Sequence, residues 1–218
     1  MTDLPANLAP GWPGIPPRWT SSAKSGVGTA LNPASRVWFT LSHGIFNEIY
    51  YPRLDHACIR DMGLIVTDGD TFFSEEKRHC QHDTTFLAPA VPAYRLTNTC
   101  QNGRYRITKD ILADPRRDVV WQHTQFTPTL GHLSNYRLHV LLAPHLGNRG
   151  ADNTAWVGDY KGIPMLFAQR DGQALALAAD MPWRGRSVGF VGVSDGWQDL
   201  SQHKTMTWFY DRAEHGNV

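Results

Sequence analysis

Residues Ser35–Asp61 read SRVWFTLSHGIFNEIYYPRLDHACIRD, and they set Trp38, Tyr50, Tyr51, Arg53, Asp55, Arg60 and Asp61 around one Pro-marked bend. Short runs of β-branched and aromatic residues lead into that bend and out of it, the composition of strands rather than helices. Planar rings next to carboxylates and guanidinium groups are also the mixed chemistry of a sugar site: rings cover the apolar C–H face of a pyranose, and the charged groups bond its hydroxyls.

The rest of the chain from Trp19 onward continues in this manner, with runs punctuated by Gly, Pro, Asn and Asp. Tyr136–Leu142 alternates Tyr136, Leu138, Val140 and Leu142 against Arg137 and His139, and ends at Pro144. Val119–Thr127 sets Val120 and Phe126 opposite Trp121 and His123. Further period-2 runs are Tyr94–Thr99, Arg104–Ile111, Met165–Gln169 and Ala174–Ala178, and Met206, Trp208 and Tyr210 alternate in the same way. Asp68-Gly69, Asn102-Gly103 and Asp171-Gly172 are the dipeptides that tolerate the positive φ of tight hairpins, so neighbouring strands are expected to be antiparallel. Only Asp70–Ala88 and Trp197–His215 run long without Gly or Pro, and neither holds an apolar stripe at helical spacing. The predicted class is all-β: a large antiparallel β-sandwich, with about 12 or more strands in two layers by ordinary strand lengths. Trp38, Trp121 and Trp208 lie in strand-like runs and read as core.

At 218 residues the chain is long enough to bury roughly 70% of its unfolded surface as one large domain. A net charge of +1 supplies no field for nucleic acid or anionic lipid, and no segment approaches the ~20 apolar residues of a membrane span. Residues 1–18 form a Pro-rich arm (Pro5, Pro10, Pro13, Pro16, Pro17), with 19–218 as the sandwich proper. With Asp3 and early prolines in place of an apolar h-region, the start lacks the layout of a secretory signal, so the expected location is cytoplasmic. Cys58, Cys80 and Cys100 lack CxxC spacing and read as buried free thiols.

Cleaving a glycosidic bond takes two opposed carboxyl groups, one protonated and one ionised. The glutamates are Glu48, Glu75, Glu76 and Glu214. Adjacent Glu75 and Glu76 point apart in an extended segment, and Glu48 reads equally as a cleft residue or as a carboxylate accepting backbone amides in a bend. Asp195 and Asp199 in SDGWQDL (Ser194–Leu200) are weak calcium candidates; an Asx turn capping a short helix is the stronger reading. His79, Cys80 and His82 (HCQH) lack a second pair at zinc spacing. GVG at Gly26–Gly28 completes neither a P-loop nor a dinucleotide fingerprint, and there is no Gly-x-Ser-x-Gly elbow. No cofactor and no metal is expected.

Several long motifs in order carry a family resemblance: WTSSAKSGVGTA (Trp19–Ala30), SRVWFTLSHGIFNEIYYPRLD (Ser35–Asp55), IRDMGLIVTDG (Ile59–Gly69), LLAPHLGNRGADNTAWV (Leu141–Val157) and VGVSDGWQDL (Val191–Leu200). Together they resemble the N-terminal domain of bacterial glucoamylases and glucodextranases, glycoside hydrolase family fifteen. The resemblance implies a supersandwich similar to galactose mutarotase, followed after EHGNV by a linker and an (α/α) barrel. That barrel carries the catalytic acid and base of an inverting enzyme acting on α-glucans. No catalytic residue is then expected in this chain. Its partners would be its own C-terminal catalytic domain and an α-glucan, with Glu48, Tyr50, Tyr51, Arg53, Asp55, Arg60 and Asp61 at the domain interface or substrate entrance. An autonomous carbohydrate-binding module and a mutarotase-like epimerase are competing readings. Linkage choice, glucosyl transfer and trehalose cleavage stay open for the parent enzyme.

Overall fold

The computed structural model describes residues 7–218; Asp3 and Pro5 of the expected arm lie outside the described residues. The fold is all-β and antiparallel. Its strands are β1 (Gly26–Thr29), β2 (Trp38–Ser42), β3 (Ile45–Tyr50), β4 (Ile59–Thr67), β5 (Phe73–Glu75), β6 (Cys80–Phe86), β7 (Tyr94–Cys100), β8 (Tyr105–Ala113), β9 (Val120–Pro128), β10 (Arg137–Pro144), β11 (Asn153–Tyr160), β12 (Ile163–Arg170), β13 (Gln173–Leu177) and β14 (Arg212–Gly216). Two short α-helices interrupt them, α1 (Glu76–His79) and α2 (Gly196–His203), together with 3-10 turns at Leu133–Asn135 and Leu146–Asn148. The chain forms two compact units, one of residues 19–142 and one of residues 1–18 with 143–218.

In the first unit, a sheet ordered β1-β2-β3-β4-β10, with β5 also on β4, packs on a sheet ordered β6-β7-β8-β9. The core is closed by Leu64 and Val66 from one sheet and by Cys80, Cys100, Tyr105 and Ile107 from the other, with Phe72, Phe126, Tyr136 and Val140 packed among them. Tyr105 stacks on Phe126 at 5.3 Å, and Phe39 meets Phe46 and Tyr94 edge-on at 5.7 and 6.3 Å. Each such ring removed from water contributes roughly 1.5–3 kcal/mol, which is why the period-2 pattern wins over local helix propensity here. Gly28 is fixed by that core, because a Cβ there would stand 2.1 Å from the Phe39 ring. This accounts for the GVG sequence without a nucleotide. The β2–β3 turn puts both His43 (φ 50) and Gly44 (φ 70) in the left-handed region, as a two-residue primed turn requires.

In the second unit the sheet order is β13-β12-β11-β14. Asp171-Gly172 makes the expected hairpin turn with positive φ at both residues. The described part of the N-terminal arm is tied to this unit: Leu8 bridges Arg212, Ile15 N–H donates to Val191 O at 3.0 Å, and Asn217 N–H donates to Pro13 O at 2.8 Å. Proline lacks a donor but keeps its carbonyl, so a Pro-rich segment can still accept from a neighbour.

Four sequence expectations need correction. Trp38, read as core, lies on the face of β2 opposite the core residues Phe39 and Leu41 and is only partly buried. Met206–Tyr210 is not a strand but irregular chain after α2, because Asp199 takes the Thr207 and Trp208 amides at 2.8 and 2.9 Å that a ladder would need. Trp121 is not core: it lies on the outward face of β9 and is 53% exposed. Leu138 is likewise exposed, while Tyr136 and Val140 face the core as expected. All three cysteines are free and buried.

Candidate functional site

An extra residue in β3 places the expected site. Leu41 pairs with Phe46 but Thr40 pairs with Glu48, so Asn47 is a bulge. Strand faces alternate, and one inserted residue reverses them. Glu48 and Tyr50 therefore share the face of Thr40 and Trp38, while Phe39, Leu41 and Phe46 turn to the sandwich core. Were Asn47 an ordinary strand residue and not a bulge, strict alternation from Phe46 would point the Glu48 carboxylate into apolar packing. Asn47 is itself buried, with Oδ1 3.0 Å from the Ser42 hydroxyl and Nδ2 donating to Ser21 O at 3.3 Å.

The strap of residues 19–25 supplies partners to two buried carboxylates on this side of the unit. Glu48 Oε2 accepts from Lys24 Nζ at 2.5 Å, Tyr50 OH at 2.7 Å and Thr40 OH at 3.1 Å. Asp61 accepts from Thr20 OH at 2.8 Å, Lys77 Nζ at 3.0 Å and the Arg60 guanidinium at 3.2 Å. Burial pushes both carboxyls up, but these donors and cations outweigh it and hold both below the ordinary carboxylate range. Burial, and then the neighbouring Glu48, push the Tyr50 phenol far above its ordinary value, so it remains a neutral donor.

The other expected residues lie apart from these pairs. Tyr51 OH accepts from Arg36 Nη2 at 2.6 Å, and Arg36 also donates its backbone N–H to Asp118 at 2.7 Å. Arg53 and Asp55 bond each other bidentately at 2.9 and 2.8 Å on the exposed tip of the bend. The seven residues around the Pro bend thus divide among two buried carboxylate clusters, one Tyr–Arg contact and one surface pair. Lys24, Thr20, Lys77, Arg36 and Asp118 were missed as partners; Thr20 and Lys24 stand in the Trp19–Ala30 motif, which is where a signal for them existed.

The remaining candidates have local partners. Asp195 caps α2, accepting from Gln198 N at 2.9 Å and also from Gly192 N, the Asx-type cap read from SDGWQDL. Asp199 accepts from the Thr207 and Trp208 amides, from the Thr207 hydroxyl at 2.5 Å, and faces His203 Nδ1 at 2.9 Å. Burial raises its carboxyl, yet these bonds hold it below the ordinary value. His79 accepts from Glu75 N at 2.9 Å, whereas His82 Nδ1 lies 2.8 Å from Asn98 Oδ1. Among the described residues, no three His, Cys, Asp or Glu side chains converge as metal ligands would, and no helix is long and apolar enough to cross a membrane. The Glu48 reading as an amide acceptor in a bend is corrected as well: it sits within β3 and takes side-chain donors.

Residues 9–218 match the family model for glucodextranase, domain N. The chain belongs to that family. A glucoamylase of Clostridium sp. (strain G0005) is 38% identical over 206 residues, covering 94% of this chain and 29% of the relative. The crystal structure of a bacterial glucoamylase complexed with acarbose superposes with a TM-score of 0.94 at 37% identity, over 96% of this chain and 31% of that one. The chain therefore spans about 30% of the length of these glucoamylases. Its antiparallel β-sandwich matches the corresponding part of that glucoamylase structure.

Proposed function

We propose that this domain serves as the non-catalytic N-terminal support of an inverting, α-glucan-cleaving enzyme and docks against a separate catalytic barrel in the same polypeptide. The observation that carries this reading is the state of Glu48 and Asp61. An inverting pair needs one carboxyl kept protonated by a raised pKa, and both of these are held ionised by cations and hydroxyl donors. They act as posts that pin the 19–25 strap to β3 and β4. The exposed bend with Arg53, Leu54 and Asp55 is the surface we assign to docking, since Arg and apolar side chains at a rim suit a large protein contact. Residues 1–218 alone are expected to leave maltose and isomaltose intact, and hydrolysis at enzyme-like rates by homogeneous material would overturn the assignment. In a longer parent chain, Tyr51→Ala with Arg53→Ala should lower the melting temperature or kcat/KM; unchanged values would remove the bend from the interface.

One observation favours a second reading, a carbohydrate-binding surface. Trp121 projects from the outer face of β9, its Nε1 donating to Asp114 at 3.3 Å, beside His123 and Gln125 on the same face. Titration with maltooligosaccharides separates the readings: saturable binding lost in Trp121→Ala supports a binding module, and no heat or shift at millimolar sugar refutes it.

A further inference from the structure

Cys80 and Cys100 are direct register partners on β6 and β7. Gln101 N–H donates to His79 O at 2.9 Å, so the ladder bond links the residue after Cys100 to the residue before Cys80. That pattern defines a non-hydrogen-bonded antiparallel pair, the close kind, with Cα atoms about 4.5 Å apart. A disulfide accepts Cα separations of about 4.4–6.8 Å. Both side chains face the same way, into the core cluster with Tyr105, whose hydroxyl is 3.5 Å from Cys80 Sγ.

We propose that Cys80 and Cys100 are a latent cross-strand disulfide site, closed by a peroxide when the end of the β6–β7 ladder opens. One thiol, as its thiolate, attacks a peroxide oxygen; the S–O bond forms, the O–O bond breaks, and the hydroxide leaves as water with the thiol proton. The second thiol loses its proton and attacks that sulfur, forming S–S, breaking S–O and releasing a second water. Two electrons pass from the sulfurs to the peroxide. Burial pushes the Cys80 thiol up to about 11, which keeps the pair reduced while the core is closed. Access is local, because Cys80 is the first residue of β6, Cys100 is the last of β7, and the adjoining Gln101–Gly103 turn is exposed. Closing a loop of about twenty residues restricts the unfolded chain and raises the melting temperature by roughly 5–10 °C.

The test treats the chain with hydrogen peroxide, alkylates the remaining thiols and maps proteolytic fragments. The expected product is two hydrogens lighter, links the Cys80 and Cys100 fragments, leaves Cys58 alkylated, melts higher, and returns to its starting state with dithiothreitol. Cys58→Ala should lock in the same way, whereas Cys100→Ser should not. Full alkylation of Cys80 and Cys100, oxidation to sulfinic acid without a link, or a bridge to Cys58 would each overturn the proposal. Because Cys58→Ala retains both partner thiols, its failure to lock overturns it even if Cys100→Ser does not fold.

Discussion

Two ion pairs of the 19–142 unit have nearly the same length and opposite settings. Arg53–Asp55 closes at 2.8 Å on the bend, with side chains 70% and 61% exposed. Lys109–Glu76 closes at 2.7 Å with both side chains wholly buried. The first sits in the stretch that looks most functional in the sequence, yet water and salt screen it to little stabilising effect. The second carries no motif and lies between the two sheets. There Glu76 also accepts from Leu64 N at 3.0 Å and from Asn98 Nδ2. The Lys109 ammonium approaches Glu76 Oε1 outside hydrogen-bond alignment, and its pKa is lowered by burial despite the carboxylate beside it. Such a pair is weak evidence for net stability, but losing one partner strands a buried charge.

The sharpest way to test this contrast is therefore Lys109→Met or Glu76→Leu alone, each expected to cost about 3–5 kcal/mol in denaturant unfolding. The double variant should recover part of that loss, the Leu64 amide and Asn98 still lacking their acceptor, and single variants near wild type would refute the contrast. Next come Glu48→Gln and Asp61→Asn, each expected to cost about 1.5–3 kcal/mol as a hydrogen bond to a charged group is lost. Both carboxyls have depressed folded values, so their contribution is complete above the unfolded carboxylate range and is lost as pH falls through it to the lower folded values. Wild type should thus lose stability on acidification below about pH 5, and the variants should show a shallower acid limb. Asp195→Ala removes the α2 cap and should cost about 1 kcal/mol, seen as faster amide exchange at Gln198. Smallest of all, Arg53→Ala in this chain should leave the unfolding midpoint unchanged. A measurable drop would show that the bend is stabilised from within rather than reserved for a partner.

Strand positions were legible because burial imposes a period of two: β7, β8, β9 and β12 fall where the alternation placed them. The failures have equally local causes. Met206–Tyr210 alternates, but Asp199 captures its amides before any strand can. Trp121 alternates correctly too, and the error lay in assuming that a large ring must face inward, when alternation assigns residues to faces without saying which face is wet. Within the site, Glu48 and Asp61 were legible as polar groups near a bend. Their partners Lys24, Thr20 and Lys77 were not, because a strap and a helix distant in sequence deliver them.

Residue pattern and turn chemistry were enough for an all-β antiparallel chain with buried thiols, since these depend on alternation, φ preferences and the residue inventory. Pairing and burial settled the rest. The bulge at Asn47 keeps Glu48 out of the core, the β6–β7 register brings Cys80 face to face with Cys100, and Lys109 finds Glu76 across the sandwich. Each of these depends on which segments pair and pack, and its energy exists only once the sheets have closed over it.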